Sequence, residues 1–347
     1  MNLERLRAGE LIRDTYTIVR HLGSGAFGDV YLSRHRYMGL QALKVFSRQD
    51  GTDALEEAYL LTKLSHPNIV RVFEANEFER SGEAFGYFSM EYVEDGTLLN
   101  IMDSDLSVKA RIDLGREMLS GLAFAHSQVP PIIHRDISPT NILIDRSNGR
   151  LSAKISDFGL AKHVDPQSLV ASAAGKYLYM APESFLDIHS TATDVYSAAI
   201  VLFELFTGKH PFRVGLSVSA TTSEMAAVVR ESRTQAIPNV SSSCPELGTS
   251  WGALFHRALA HDYEERPTTA QDLLALFTAA AEPPDSRAPT APNENAVAMV
   301  TEAKRLAEQT DTLDDAIETL ERACHLDQRV RDKYSEMLSL WKRGIVL

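Results

Sequence analysis

The chain has 347 residues, 44% of them hydrophobic and 24% charged, which suits a globular protein of one large or two modest domains with a sizeable core. Its formal net charge of −12 argues against nucleic acid and against an anionic membrane as general partners. Two cysteines, Cys244 and Cys324, form neither a disulfide framework nor a metal-ligand spacing, so a reducing, cytoplasmic compartment is expected.

In chain order, residues 1–15 are a charged extension without the apolar stretch of a signal peptide. From 16 to 93 the pattern is strands with one helix. YTIVRHLG and VYLSRHR alternate on either side of a glycine turn, as paired antiparallel strands do, and LQALKVFS is a third strand. TDALEEAYLLTKLS carries apolar residues at helical spacing up to the break at HPN, and FGYFSMEYV is a further strand. From about residue 107 the pattern turns helical. SVKARIDLGREMLSGLAFAHSQ sets Ile112, Met118, Leu119 and Leu122 on one face. After a loop-rich centre come TDVYSAAIVLFELFTG, WGALFHRALA and TAQDLLALFTAAA. The longest apolar run, SAAIVLFELF at 197–206, is too short for a bilayer and contains Glu204, so no membrane span is expected. Strands followed by helices predict two lobes with a cleft between them. A Pro- and Ala-rich linker follows over 279–296. Residues 297–347 read as two helical segments, with Leu313, Ala316, Ile317, Leu320 and Ala323 at amphipathic spacing in the second.

The chemistry begins in GSGAFGDV, where Gly23, Gly25 and Gly28 let backbone N–H groups approach phosphate without a Cβ clash. A dinucleotide fingerprint needs a helix straight after the glycines. Here the strand-like VYLSRH follows, which favours strand–glycine–strand. Lys44 lies in an apolar strand, and a buried ammonium needs a partner. Glu56 and Glu57 are on offer, and Glu57, one turn before Leu61 on the face that carries Leu60 and Leu64, is the better placed. IIHRDISPTNILI, 132–144, sets Asn141 five residues past Asp136. A carboxylate and an amide at that spacing suit a loop that orients a hydroxyl and holds a metal ion.

With DFG at 157–159 and APE at 181–183, these motifs follow in an order that resembles a eukaryotic-type protein kinase of the Ser/Thr class over residues 16–278. The resemblance implies an α+β bilobal protein-kinase-like fold: a β-rich N-lobe (16–93), a hinge near 91–93, a helical C-lobe (94–278), and then the C-terminal helices. It implies ATP and Mg²⁺ as cofactors and a protein substrate. By the same resemblance, the backbone of Gly23, Ser24, Gly25 and Gly28 covers the phosphates, and Lys44, held by Glu57, binds the α- and β-phosphates. Asp157 and Asn141 hold Mg²⁺, and Asp136 accepts or orients the substrate hydroxyl. Val30, Ala42 and Leu143 match the residues that sandwich adenine, Met90 guards the back of that pocket, and Glu91 and Val93 lie at the hinge. Leu61, Val72, His134 and Phe158 match the stack that keeps the active arrangement aligned. Arg266 matches the arginine that pairs with Glu183, and Asp194 the buried aspartate that braces the catalytic loop.

Two positions depart from the Ser/Thr pattern, which has lysine at 138 and threonine just after Gly175; this chain has Ser138 and Lys176. Either the ammonium and hydroxyl have exchanged places, or Ser138 is a tolerated loss and Lys176 faces solvent. The tyrosine-kinase arginine would fall at Thr140, so that class fits less well. Thr97 and Thr140 stand where some basophilic kinases carry acidic residues, so a strong preference for Arg-rich substrates is not supported. Arg135, assisted by Lys162, matches a clamp for a phosphate on the activation segment. Residues 157–183 contain no threonine, which leaves Ser168 and Ser172 as acceptors or as ordinary members of an Ala/Ser-rich loop. The leading function is a Ser/Thr protein kinase, and the alternative is a pseudokinase serving as a nucleotide-sensing scaffold. A small-molecule phosphotransferase is disfavoured by the APE segment and Pro139. The tail faintly resembles a tetratricopeptide helix pair; one unit is too short to stack as a solenoid, so an appendage packing on the main domain or on a protein partner is expected.

Overall fold

The structure is a computed structural model and describes residues 5–25, 28–46, 59, 61–147, 149–158, 177–214, 222–245, 247–282, 294–307 and 312–342. Two compact units divide the chain, Met1–Ala281 and Glu282–Leu347. In the first, strands β1 (Leu11–Ile12), β2 (Tyr16–Gly25), β3 (Gly28–His35), β4 (Gly39–Phe46), β5 (Val72–Arg80) and β6 (Glu83–Glu91) form one antiparallel sheet in the order β1-β2-β3-β4-β6-β5. Alternation along β4 and β6 sorts the side chains by face. Leu43, Val45 and Tyr87 join Tyr16, Ile18 and Tyr31 in an N-lobe cluster, whereas Ala42, Phe46, Phe88 and Met90 belong to the main core. Strand β5 was not evident from the pattern. Glu74, Asn76, Glu77 and Glu79 break its apolar alternation, which an edge strand tolerates.

The helical part contains α1 (Leu98–Ile101), α2 (Val108–His126), α3 (Thr191–Thr207), α4 (Thr222–Ser232), α5 (Thr249–Ala258) and α6 (Ala270–Ala281). A hairpin of β7 (Ile142–Asp145) and β8 (Ser152–Ile155), also not evident from the pattern, crosses the loop-rich centre. Ser107 starts α2 by accepting the Ala110 N–H at 3.2 Å. Helix α3 is buried at every position from 192 to 203, with apolar residues on all its faces, as a central helix has. Helix α6 runs through Ala281, past the boundary expected at 278, because the alanines of LFTAAA continue the turn as far as the PP that follows Glu282.

The segment that leaves the sheet is stitched to β8. Ile155 N–H donates to Asn68 O at 2.9 Å, Val70 N–H donates to Ile155 O at 2.8 Å, and Asn68 Nδ2 reaches Ala153 O at 3.0 Å. This approach depends on Gly121 of α2, where a Cβ would stand 2.5 Å from Asn68 O. Near the end of α3, Tyr179 Oη donates to Glu204 Oε2 at 2.7 Å. Burial raises the Glu204 carboxyl above the ordinary glutamate range although that hydrogen bond opposes the shift.

Among the described residues the second unit has three helices, α7 (Glu294–Ala307), α8 (Leu313–Leu326) and α9 (Gln328–Trp341). The expected single helix after 312 is broken at Asp327, which is extended (φ −146°, ψ 118°) and whose carbonyl accepts the Arg331 N–H at 3.1 Å, starting a new helix. Ala296, Ala303 and Ala307 cluster with Ala316, Leu320 and Ala323. Among the described residues no helix is long and apolar enough to cross a membrane.

Gly121→Ala is expected to cost about 1–3 kcal/mol, read as a lower denaturation midpoint, because the obstacle is a backbone carbonyl. The folded state keeps the Glu204 proton at pH values where the unfolded chain has lost it. That contribution is complete below the ordinary glutamate pKa and is lost as pH rises through the raised value. Glu204→Gln removes the titration, so its melting temperature should gain on wild type as pH rises from 5 to 8; parallel profiles would contradict this.

Candidate active site

The loop from 134 to 141 hangs from Asp194 in the first turn of α3. This carboxylate, 1% exposed, accepts His134 N–H at 2.6 Å and Arg135 N–H at 2.8 Å. His126 Nε2 stands 3.0 Å away, and His126 Nδ1 accepts the Ala270 N–H at 3.1 Å. Since Nδ1 is an acceptor, the ring proton is on Nε2 and is donated to Asp194. Three donors thus satisfy a charge that would be costly to bury alone. Arg135 has φ +67°, a disfavoured region for a non-glycine residue, and its bonded N–H helps to fix it there.

The same loop is laced to the segment that follows β8. His134 Nδ1 accepts Asp136 N–H at 3.2 Å, so its Nε2 donates to Ser156 O at 2.8 Å. Asn141 Nδ2 donates to Asp136 O at 2.8 Å, and Asn141 O accepts from Ser156 N–H at 2.8 Å and Ser156 Oγ at 3.0 Å. Asp136, Asn141 and Asp157 therefore belong to one hydrogen-bonded patch. Asp157 also has a positive φ, +59°. From the sheet, Lys44 brings its ammonium to Asp157 Oδ1 at 2.6 Å, the lysine side chain 6% exposed and the aspartate 32%. Glu56 and Glu57 lie outside the described residues.

Gly23, Ser24 and Gly25 end β2 and Gly28 opens β3, with Gly25 opposite Gly28. Gly28 has φ +146°, and a Cβ there would meet Val45 O at 1.9 Å, so only glycine fits. Ser24 Oγ donates to Asp29 Oδ1 at 2.5 Å, and His21 Nε2 is 3.2 Å from the same oxygen. Burial pushes the Asp29 carboxyl up, yet bonds from Ser24, His21 and Tyr31 outweigh it and leave the group below the usual aspartate range.

Ala42 and Met90 are cross-strand partners, and Val30 lies opposite Lys44. Val30, Val93 and Leu143 pack, partly buried, on the main core, and Leu143 bridges to Thr97. Glu91 Oε1 takes Lys154 Nζ at 2.8 Å. Leu61, Val72 and Phe158 line one small void with Met90, and the His134 ring is 4.6 Å from that of Phe158, so the four stack residues are adjacent. Arg266 grips Glu183 with two bonds, 2.7 and 3.0 Å. Ser138 is buried, its Oγ 2.9 Å from Thr140 Oγ1. Lys162, Ser168, Ser172 and Lys176 lie outside the described residues.

Several contributors have little signature in the sequence. His126 and Glu204 are polar residues in apolar helical runs, GLAFAH and VLFELF, and that mismatch was the available clue. Ser156 acts chiefly through its backbone. Arg233, in RESRT, reads as solvated yet is 3% exposed.

The Protein kinase domain family matches residues 16–277. The chain is 30% identical over 282 residues to a probable serine/threonine-protein kinase PknB of Lactococcus lactis, covering 78% of this chain and 42% of that protein. It is 31% identical to the serine/threonine-protein kinase PknB of Mycobacterium leprae (76% and 42% covered) and 30% identical to the serine/threonine-protein kinase PrkC of Bacillus subtilis (77% and 40%). The chain thus spans about two fifths of the length of these relatives. A match of that extent, on a bilobal α+β unit that joins the sheet lysine to the loops of the helical part, settles the family: the chain belongs to the eukaryotic-type protein kinases.

Proposed function

We infer that the chain is a Ser/Thr protein kinase that transfers the γ-phosphoryl group of ATP to a protein hydroxyl. The observation that carries this reading is the meeting of Lys44 from the sheet with Asp157 at 2.6 Å, on the patch that also holds Asp136 and Asn141. The donor set fits Mg²⁺. Asn141 commits its Nδ2 to Asp136 O, which leaves the amide oxygen for a cation, and Asp157 adds a partly exposed carboxylate; both are hard oxygen donors. Bound there, Mg²⁺ supplies charge that neutralises phosphate oxygens. Lys44 binds the α- and β-phosphates, and the glycine loop covers them with its backbone. Asp136 orients the substrate hydroxyl and takes its proton as the new O–P bond forms and the γ-phosphorus leaves the β-phosphate oxygen.

Arg135 supports a regulatory reading. Its Nε is buried without a hydrogen-bond partner among the described residues, and a phosphate on Ser168 or Ser172 would supply one, with Lys162 assisting. The C-terminal helices have their own core and suit a docking module for a protein partner. The pseudokinase alternative draws on Ser138, whose hydroxyl bonds to Thr140 where the family places an ammonium. Under the kinase reading, Lys176 supplies that ammonium to the γ-phosphate.

With labelled ATP and Mg²⁺, wild type should label serine or threonine of a protein substrate, and Asp136→Ala should lower the rate by about 100-fold or more while still binding nucleotide. Nucleotide binding without transfer by the wild type would instead favour the scaffold. Lys176→Ala should lower kcat by about tenfold or more, the scale of one lost charge-assisted bond; a rate equal to wild type would mean that Lys176 does not replace the missing lysine.

A further inference from the structure

Arg233 presents a buried cation that no carboxylate pairs with among the described residues. It follows the last residue of α4, and burial lowers its pKa, opposed only by Tyr196. Its Nη2 donates to Tyr177 O at 3.3 Å and to Leu178 O, while Nε and Nη1 have no hydrogen-bond partner among the described residues. The guanidinium carbon stands 4.8 Å from the Phe212 ring centre and 5.9 Å from that of Tyr196. Those two rings are stacked, 6.3 Å apart at 5°. Arg266, the partner of Glu183, lies 4.5 Å from the Tyr196 ring. A ladder of guanidinium and aromatic groups therefore runs from Glu183 back to the carbonyls of 177 and 178. His210 places Nε2 2.9 Å from Leu178 O and Nδ1 2.9 Å from Phe212 O; burial depresses its pKa although both contacts oppose the shift.

Each carbonyl has one other partner, the Met180 N–H at 3.2 Å for Tyr177 O and His210 Nε2 at 2.9 Å for Leu178 O, and Arg233 is the group that ties the two together. A buried cation that no carboxylate pairs with among the described residues is an expensive way to do so, and the ring faces offset only part of that cost. On the kinase reading, the strip at 177–182, just ahead of Glu183, is where a substrate peptide lies. We propose that Arg233 is a positioning residue for the peptide substrate. By holding both carbonyls inward it fixes which N–H groups and side chains of the strip face the peptide, and it does so without touching the nucleotide end of the cleft. The inference rests on the kinase reading, and its test is arranged so that the two fail separately.

The full chain would be compared as wild type, Arg233→Met, which keeps most of the volume but no donor, and Arg233→Lys, which restores one donor group. Peptide KM, kcat, ATP KM, the rate of ATP hydrolysis to water, and amide hydrogen exchange over 177–182 and 142–158 would be measured. Arg233→Met should raise peptide KM about tenfold, the scale of one lost hydrogen bond from a charged donor. ATP KM and hydrolysis should stay within about twofold, since Arg233 is not among the groups that meet phosphate. Exchange should quicken over 177–182 and not over 142–158, and Arg233→Lys should recover most of both effects. Unchanged exchange over 177–182, a parallel loss of hydrolysis and peptide transfer, or a lysine variant as impaired as methionine would each overturn the proposal. A wild type that transfers no phosphate would overturn the kinase reading, and exchange over 177–182 would still decide the anchoring by Arg233.

Discussion

The Asp194 carboxylate is buried in an apolar helix, and it is tolerated there only because His134 N–H, Arg135 N–H and His126 Nε2 are all turned toward it. The requirement works in both directions. The helix needs those donors to keep its charge, and the loop needs that acceptor to hold Arg135 at a positive φ. His126 is pinned in turn by the N–H of Ala270, so three helices and a loop share one set of bonds. From this support the chain of contacts passes through His134 to Ser156 and so to Asp157. Loosening the loop would remove two of the three donors that this buried carboxylate relies on.

Much of this was legible in the sequence where chemistry restricts the residue type. Lys44 in an apolar strand, Asp136 with Asn141 five residues on, and glycines between strands narrow the choice of role, the family resemblance supplied the rest, and the structure brings Lys44, Asp136, Asn141 and Asp157 together. Glu183 and Arg266 are 83 residues apart and meet in a bidentate bond; their pairing followed from the family resemblance, since spacing alone does not show it. The sheet was legible except at β1, which lies in the stretch read as a charged extension, and at β5, where charges mask the strand because one edge of it has no neighbour among the described residues. The helix break at Asp327 was hidden because the apolar spacing carries on across it.

Other features were illegible in principle. Hydrogen bonds made by backbone, such as those of Ser156 and Asn68, leave no trace in side-chain chemistry. Burial of Arg233 depends on Tyr196 and Phe212 arriving from other parts of the chain, so its surroundings in RESRT suggest the opposite of what the fold does. Gly121 looks like a weak point in a helix, yet it is the notch that admits Asn68 O. In each case the deciding partner is distant in sequence, and local pattern has no access to it.

The ion pair between Lys44 and Asp157 has a consequence for how a nucleotide is taken up. The ammonium already has an internal anion at 2.6 Å, so on the proposed function binding of a triphosphate would be a counter-ion exchange in which phosphate oxygens displace a carboxylate and that carboxylate is released toward a metal. Observed affinity is then the intrinsic affinity diminished by the fraction of molecules in which the swap has been made ready. Magnesium and nucleotide would consequently assist each other's binding, because each gives one member of the divorced pair a new companion.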